Sequence, residues 1–282
     1  MSETRCGLAV LMPNSNHARF LPAALEAILA QSRQPDEIIV IDDASTDDSL
    51  AVLEAYAARH PALRIVKNEK NLGVTPNLNR LIDLCRHSHG AFLAADDIVL
   101  PGLFEDSMAL LEAHPRVGLC SGLIREMSPD GRDNGVVVTP MIADEPAYIS
   151  PDRAARFLLD EGQWIVNNTT IYRMQALAEA GGFLPELAAF SDGFISDVLA
   201  LRHGACYIPR ELAYWRYNPD GFASRTCADL EGITEIMRTV LRLMSTTHAD
   251  IFSPEYRELF RRHLCKRYNP AIRIDASEDH PR

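Results

Sequence analysis

Two pairs of adjacent aspartates, Asp42-Asp43 and Asp96-Asp97, each close an apolar run, at 37–41 (EIIVI) and 91–95 (AFLAA). A further apolar run, 7–12 (GLAVLM), stops at Pro13 and delivers Asn14, Ser15 and Asn16. Oxygen-rich side chains in such places suit two tasks. They accept hydrogen bonds from a nucleobase or ribose, and they coordinate Mg²⁺ or Mn²⁺ bridging a diphosphate. With a formal net charge of −11, an anionic nucleotide needs a divalent cation to neutralise both sides.

The elements that must hold these residues are legible as an alternation. The runs 7–12, 37–41, 63–66, 91–95 and 117–123 are short and apolar, as buried parallel strands are. Between them lie helical patterns. Phe20, Leu21, Ala24, Leu25, Ile28 and Leu29 recur at helical spacing, and Leu50, Leu53 and Tyr56 share a face behind Ser45 or Thr46 as cap. A helix is predicted over 76–85, and another begins at Pro101. This βαβ alternation calls for a parallel sheet with helices on both faces, and ligands in such sheets bind beyond the carboxyl ends of the strands. The segment 127–150 reads as a loop or hairpin. Beyond it come a helix at 151–160, a strand at 169–173, a helix at 191–203, a strand at 205–208, helices over 230–268 and a polar tail.

The ordered motifs MPNSN, IIVIDDASTD, NLGVTPNLN, AADD and GGFLPEL together resemble the inverting glycosyltransferases of family 2, over about 7–209. The resemblance implies a GT-A type fold: an α/β, Rossmann-like, mostly parallel sheet flanked by helices, with a helical C-terminal extension. Residues 1–224 would form the transferase domain, with a nucleotide-binding part of about 1–125 and an acceptor part of about 126–224, and 225–282 the extension. It also implies roles. Pro13, Asn14 and Asn16 would line the nucleotide pocket; Asp43, with Asp42 beside it, would bind the base; Asn71, Gly73 and Asn79 would lie close by. Asp97 would hold Mn²⁺ or Mg²⁺, with Asp96 on the ribose or the metal. Asp192 is the expected general base, preferred over Asp197, which five residues along the helix should turn away from it. Trp164 and Asn168 fall in the expected acceptor loop. Three positions depart from the family pattern: Ser15 replaces a stacking aromatic, Leu78 an arginine, and Ala94 the first acid of the aspartate motif.

The implied reaction moves a sugar from a nucleotide diphosphate donor, a UDP-sugar first among them, to a sugar or lipid-linked hydroxyl, in bacterial polysaccharide or glycoconjugate synthesis. Two alternatives remain on the residues alone. One is a nucleotide-sugar binder with altered or lost turnover. The other is a sugar-1-phosphate nucleotidyltransferase, whose basic, Gly-rich loop after the first strand is missing here. Neither GxxxxGK[ST] nor GxGxxG is present. The acid excess lies in the first 224 residues and speaks against nucleic acid as a partner. The start of the chain lacks a signal-peptide pattern, and the six scattered cysteines read as reduced thiols, which predicts a cytoplasmic protein. Residues 256–267 are amphipathic with a basic face. They suit docking on their own domain, peripheral contact with the inner face of a membrane, or a homodimer through 228–268.

Overall fold

A computed structural model describes residues 7–137 and 139–267. Four strands open it: β1 (Leu8–Asn14), β2 (Glu37–Asp42), β3 (Leu63–Lys67) and β4 (His89–Phe92). Helices α1 (Leu21–Leu29), α2 (Ser49–Ala57) and α3 (Val74–Leu84) join them. Next come the two-residue β5 (Ile98–Val99), α4 (Leu103–Ala113), β6 (Leu119–Met127), β7 (Asp133–Val137), β8 (Ala147–Ile149) and α5 (Pro151–Asp160). A single 3₁₀ turn, Asn167–Thr169, leads into β9 (Ile171–Arg173) and α6 (Met174–Glu179). A second, Pro185–Phe190, leads into α7 (Ser191–His203), β10 (Ala205–Arg216) and the helices α8 (Phe222–Ala228), α9 (Leu230–Ser245) and α10 (Pro254–Arg267).

The strands form one sheet in the order β3-β2-β1-β4-β9-β6-β10-β5, with β7 on β6 and β8 on β10. β1, β2, β3 and β4 are parallel, as the apolar runs predict, and β6 is parallel to β10. β9 runs against both β4 and β6. The period-2 alternation of a strand sends its side chains to opposite faces. Leu8, Val10 and Met12 therefore join α1, α2 and α4 in one core, while Ala9 and Leu11 join α3, α7 and α9 in the other. The result is a helix–sheet–helix sandwich. Among the described residues, no helix is long and apolar enough to cross a membrane.

Several boundaries differ from the sequence expectation. β4 ends at Phe92, so Ala94 to Asp97 form a loop rather than a strand end. The segment after β6, by contrast, is the hairpin that the sequence allowed, with β7 folding back on β6. β10 runs on to Arg216 instead of stopping at Ile208; bulges around Glu211 let the strand tolerate Pro209. α2 starts at Ser49, and Ser45 caps nothing because its hydroxyl accepts from the Asn16 backbone N–H.

The C-terminal helices dock on the domain itself. Ile233, Met237, Val240 and Met244 of α9 and Tyr256 of α10 are buried in the same core as Phe194 and Val198 of α7. Leu259 faces outward, and the basic residues Arg261 and Arg262 pair with Glu258. The tail beyond Arg267 lies outside the described residues.

Candidate active site

The ends of β1 and β2 are stitched together before they can meet any ligand. Asn14 Nδ2 donates to Asp42 Oδ1 at 2.9 Å across the strand pair. Asn16 adopts φ 57°, a conformation that asparagine tolerates better than most residues. Its Oδ1 accepts the Thr46 N–H at 2.7 Å and the Asp47 N–H at 3.3 Å. Asp43 is buried and fully engaged. One oxygen accepts from Asn68 Nδ2 (2.6 Å) and the Leu72 N–H (2.9 Å), the other from the Gly73 N–H (2.9 Å). Burial alone would push its carboxyl up, but the hydrogen bonds from Asn68, Leu72, Asn77 and Gly73 outweigh it and hold the group below the usual range. Asp43 is therefore an ionised post around which the 71–73 loop is wound, with lone pairs to spare for one more donor. Gly73 carries φ 86°, which a side chain would resist, and Asn71 closes the loop by donating to Ser15 Oγ at 3.1 Å.

Asn79 stands further back. Its amide pairs with the backbone of Phe183 in both directions, Nδ2 to the carbonyl at 2.7 Å and Oδ1 from the N–H at 2.9 Å. It clamps α3 to the Gly181-Gly182-Phe183 strap rather than facing the strand ends.

The aspartate loop contains one half-exposed acid, Asp96, and one buried acid, Asp97. Asp97 accepts the Arg216 backbone N–H at 2.7 Å and the Asn168 side-chain amide. Burial, reinforced by the charge of Asp96, pushes its carboxyl well above the ordinary range, against the opposing N–H and charge of Arg216. Two carboxylates at close quarters with no third His, Cys or acidic ligand among the described residues do not make a closed protein cage. They fit Mg²⁺ or Mn²⁺ of the kind that takes one or two carboxylates and completes its shell with water and substrate phosphate. A cation there also relieves the mutual repulsion that raises Asp97.

Asp192 sits in the first turn of α7, where the helix dipole favours a carboxylate. The strap before it is strained: Ala188 adopts φ 46°, ψ −126°. Ser191 Oγ secures the turn by accepting the Leu184 N–H at 2.6 Å. Burial raises the Asp192 carboxyl, and the Gly193 N–H donating to Oδ1 at 2.8 Å only partly offsets this. The side chain borders a cleft of about 160 Å³ that also touches Pro13, Thr75, Leu78, Ala94 and Phe222. The end of β1, the aspartate loop, α3 and the start of α7 thus meet at one opening.

Although five residues along α7 turn it from Asp192, Asp197 borders with it a second cavity, of about 340 Å³, on the other side of the base. Trp164 is fully buried with its ring edge-on to Tyr207, so no face of it is open to a sugar. Asn168 reaches the aspartate loop, where its side-chain amide donates to Asp97. Arg216 is neither solvated nor free to reach outward. It lies over the Phe20 ring at 4.5 Å and donates to the carbonyls of Asp96 (2.9 Å), Ser128 (3.3 Å) and Pro129 (3.1 Å). Asn167, which the sequence placed only in the expected acceptor loop with Trp164 and Asn168, borders both cavities and is fixed by the Tyr172 hydroxyl at 3.0 Å. Its only sequence signal was its place next to Asn168.

The family model for glycosyl transferase family 2 matches residues 9–177, more than half of the chain. Uncharacterized protein MT1568 of Mycobacterium tuberculosis (strain CDC 1551 / Oshkosh) is 27% identical over 243 residues, 84% of this chain and 75% of that protein. Amylovoran biosynthesis glycosyltransferase AmsE of Erwinia amylovora is 32% identical over 120 residues, 43% of this chain and 45% of that protein, so the match spans less than half of its length. The fold is similar to that of S. aureus TarS 1-349 in complex with UDP, at a TM-score of 0.71 and 19% identity, covering 96% of this chain and 76% of that one. It is also similar to the mannosyltransferase PcManGT from Pyrobaculum calidifontis in complex with GDP-Man and Mn²⁺, at 0.63 and 18%, covering 98% and 78%. The sandwich is the GT-A fold, and the chain belongs to glycosyl transferase family 2.

Proposed function

We propose that the protein is an inverting, metal-dependent glycosyltransferase that moves one sugar from a nucleotide diphosphate donor to a hydroxyl acceptor. The observation that carries this reading is the 160 Å³ cleft, where Asp192 borders the same opening as Pro13 and Ala94. A base on one side and an aspartate loop on the other is the layout that a single displacement requires. The donor would lie along Pro13, Asn14, Asp42, Asp43, Asn71 and Gly73. Asp97, with Asp96 beside it, would hold Mn²⁺ or Mg²⁺, which when bound neutralises charge on the departing diphosphate. Asp192 takes the proton from the acceptor hydroxyl as its oxygen attacks the anomeric carbon. The bond from that carbon to the diphosphate oxygen breaks on the opposite face, the electron pair leaves with the diphosphate, and the anomeric configuration inverts. Arg216 supports the loop from behind through its backbone N–H on Asp97 and its guanidinium on the Asp96 carbonyl.

UDP is the first nucleotide to test because TarS was solved with it; GDP is the second, from PcManGT. A bacterial polysaccharide or glycoconjugate setting draws support from the amylovoran relative. The decisive measurement is sugar release from a panel of UDP-, GDP-, CDP- and dTDP-sugars with Mn²⁺, for the parent and Asp192→Asn. Loss of about 10²–10⁴-fold in turnover with nucleotide binding retained is expected. Unchanged turnover in the variant sinks the base assignment.

A further inference from the structure

The second cavity, about 340 Å³, lies among α5, α7, α9 and α10 and shares Asn167, Ala189 and Asp192 with the catalytic cleft. Its volume is within the range of small-molecule pockets. Its walls are mainly apolar, with Phe194, Met237, Val240, Met244, Tyr256 and Phe260 among them. These six residues all lie beyond residue 177, where the family match ends, so this wall belongs to the part of the chain outside the shared donor machinery.

Among the polar groups of the lining, Asp197 and Gln163 each have an oxygen with no hydrogen-bond partner among the described residues, Asp197 Oδ1 and Gln163 Oε1. Asp192, Asn167, Ser196 and Tyr256 are the other polar residues of the wall, and no Lys, Arg or His lines it among the described residues. Buried acceptors without donors are costly, so an occupant bearing a donor is favoured. With no cation on the wall among the described residues, an anion is left unpaired there, and above about pH 7, where Asp197 is ionised, the two carboxylates also repel it. An apolar body, a hydrogen-bond donor and no negative charge describe the occupant.

We propose that this cavity is the acceptor subsite, and that it takes the apolar, uncharged aglycone of an alkyl- or aryl-bearing alcohol whose hydroxyl reaches Asp192. The inference rests on the assignment of Asp192 as the base and adds the class of acceptor: a molecule whose apolar end enters between α7 and α9 without a phosphate. An acceptor with a phosphate next to its apolar chain would have to place that charge beside Asp192 and Asp197, which the wall opposes.

The test uses the full chain and three probes of one shape: 4-propylphenol, 4-propylanisole and 4-propylbenzoate. Binding is read by ligand-observed NMR at pH 8, where Asp197 is ionised, for the parent, Val240→Phe, which fills the cavity, and Asp197→Asn. The phenol is expected to bind, the ether about tenfold more weakly for want of the donor, and the benzoate not measurably. Val240→Phe should weaken the phenol at least tenfold, and Asp197→Asn should restore measurable benzoate binding. Phenol binding unchanged in Val240→Phe, no phenol binding to the parent, or benzoate binding as tight as phenol would each overturn the proposal. UDP with Mn²⁺ is titrated into the same samples. Failure of that arm alone defeats the donor reading, whereas failure of the probes with nucleotide binding intact defeats only this subsite.

Discussion

At the scale of single residues, the two acids of α7 are told apart by what surrounds them. Asp192 has a helix N-terminus and the Gly193 N–H to support its charge, whereas Asp197 has an oxygen with no partner among the described residues. Burial pushes the Asp197 carboxyl from about 3.8 up to about 7, with the Gln163 hydrogen bond opposing and the nearby charge of Asp192 adding to the rise. Between those two values the folded protein holds a proton that the unfolded chain has released. Stability therefore falls as pH rises from about 4 to about 7 and is level above. Asp197→Asn removes that slope, so its melting temperature should match the parent near pH 4 and exceed it at pH 8. Thermal unfolding at pH 4.5, 6 and 8 measures this; a difference independent of pH would mean that Asp197 is charged throughout. The pairing of these acids around one cavity was not legible in the sequence. Five residues along a helix turn a side chain by well over a right angle, but the cavity is wide and is closed by Met237 and Tyr256, forty and more positions downstream.

Between elements, the clamp from α3 to the strap carries the most. Asn79 replaces a strand partner for Phe183, and Gly182 beside it has φ 72° with no room for a side chain, since an added Cβ would lie 2.8 Å from Asn79 Oδ1. Asn79→Ala leaves a backbone N–H and carbonyl unpaired next to the base-bearing helix. We expect a loss of roughly 1–3 kcal/mol in urea unfolding, with turnover falling more than nucleotide affinity. Equal loss of both would place Asn79 in the nucleotide pocket itself. The elements that a sequence reveals best here are those whose environment is uniform. β1 and β2 are buried on both faces and read as unbroken apolar runs. The direction of β9 is not written in Ile171–Arg173, because three residues look alike whichever way they run; only its neighbours β4 and β6 decide. β10 was shortened by the ordinary rule that proline ends a central strand, which the bulge at Glu211 circumvents. Arg216 closes the half of that strand beyond Ile208.

For the molecule as a whole, the −11 charge sets the terms on which a diphosphate can approach. With Asp96 and Asp97 adjacent and no closed ligand cage, cation and nucleotide should bind as a pair. UDP at about 100 times its dissociation constant should stabilise the protein by about 2.7 kcal/mol with Mn²⁺ present. EDTA should abolish most of that shift, as should Asp97→Asn. A melting shift indifferent to EDTA would make the carboxylates hydrogen-bond acceptors only. The bond from the Arg216 N–H to Asp97 spans 119 positions of sequence, and this has a consequence for how the protein is made. A chain emerging from the ribosome has its nucleotide-binding strands in hand long before β10 arrives to secure the aspartate loop. Until then Asp97 lacks the Arg216 N–H that holds it. On the proposed reading, nascent fragments of this chain should not turn over nucleotide sugar, because the last long strand of the sheet is also the one that holds the aspartate loop.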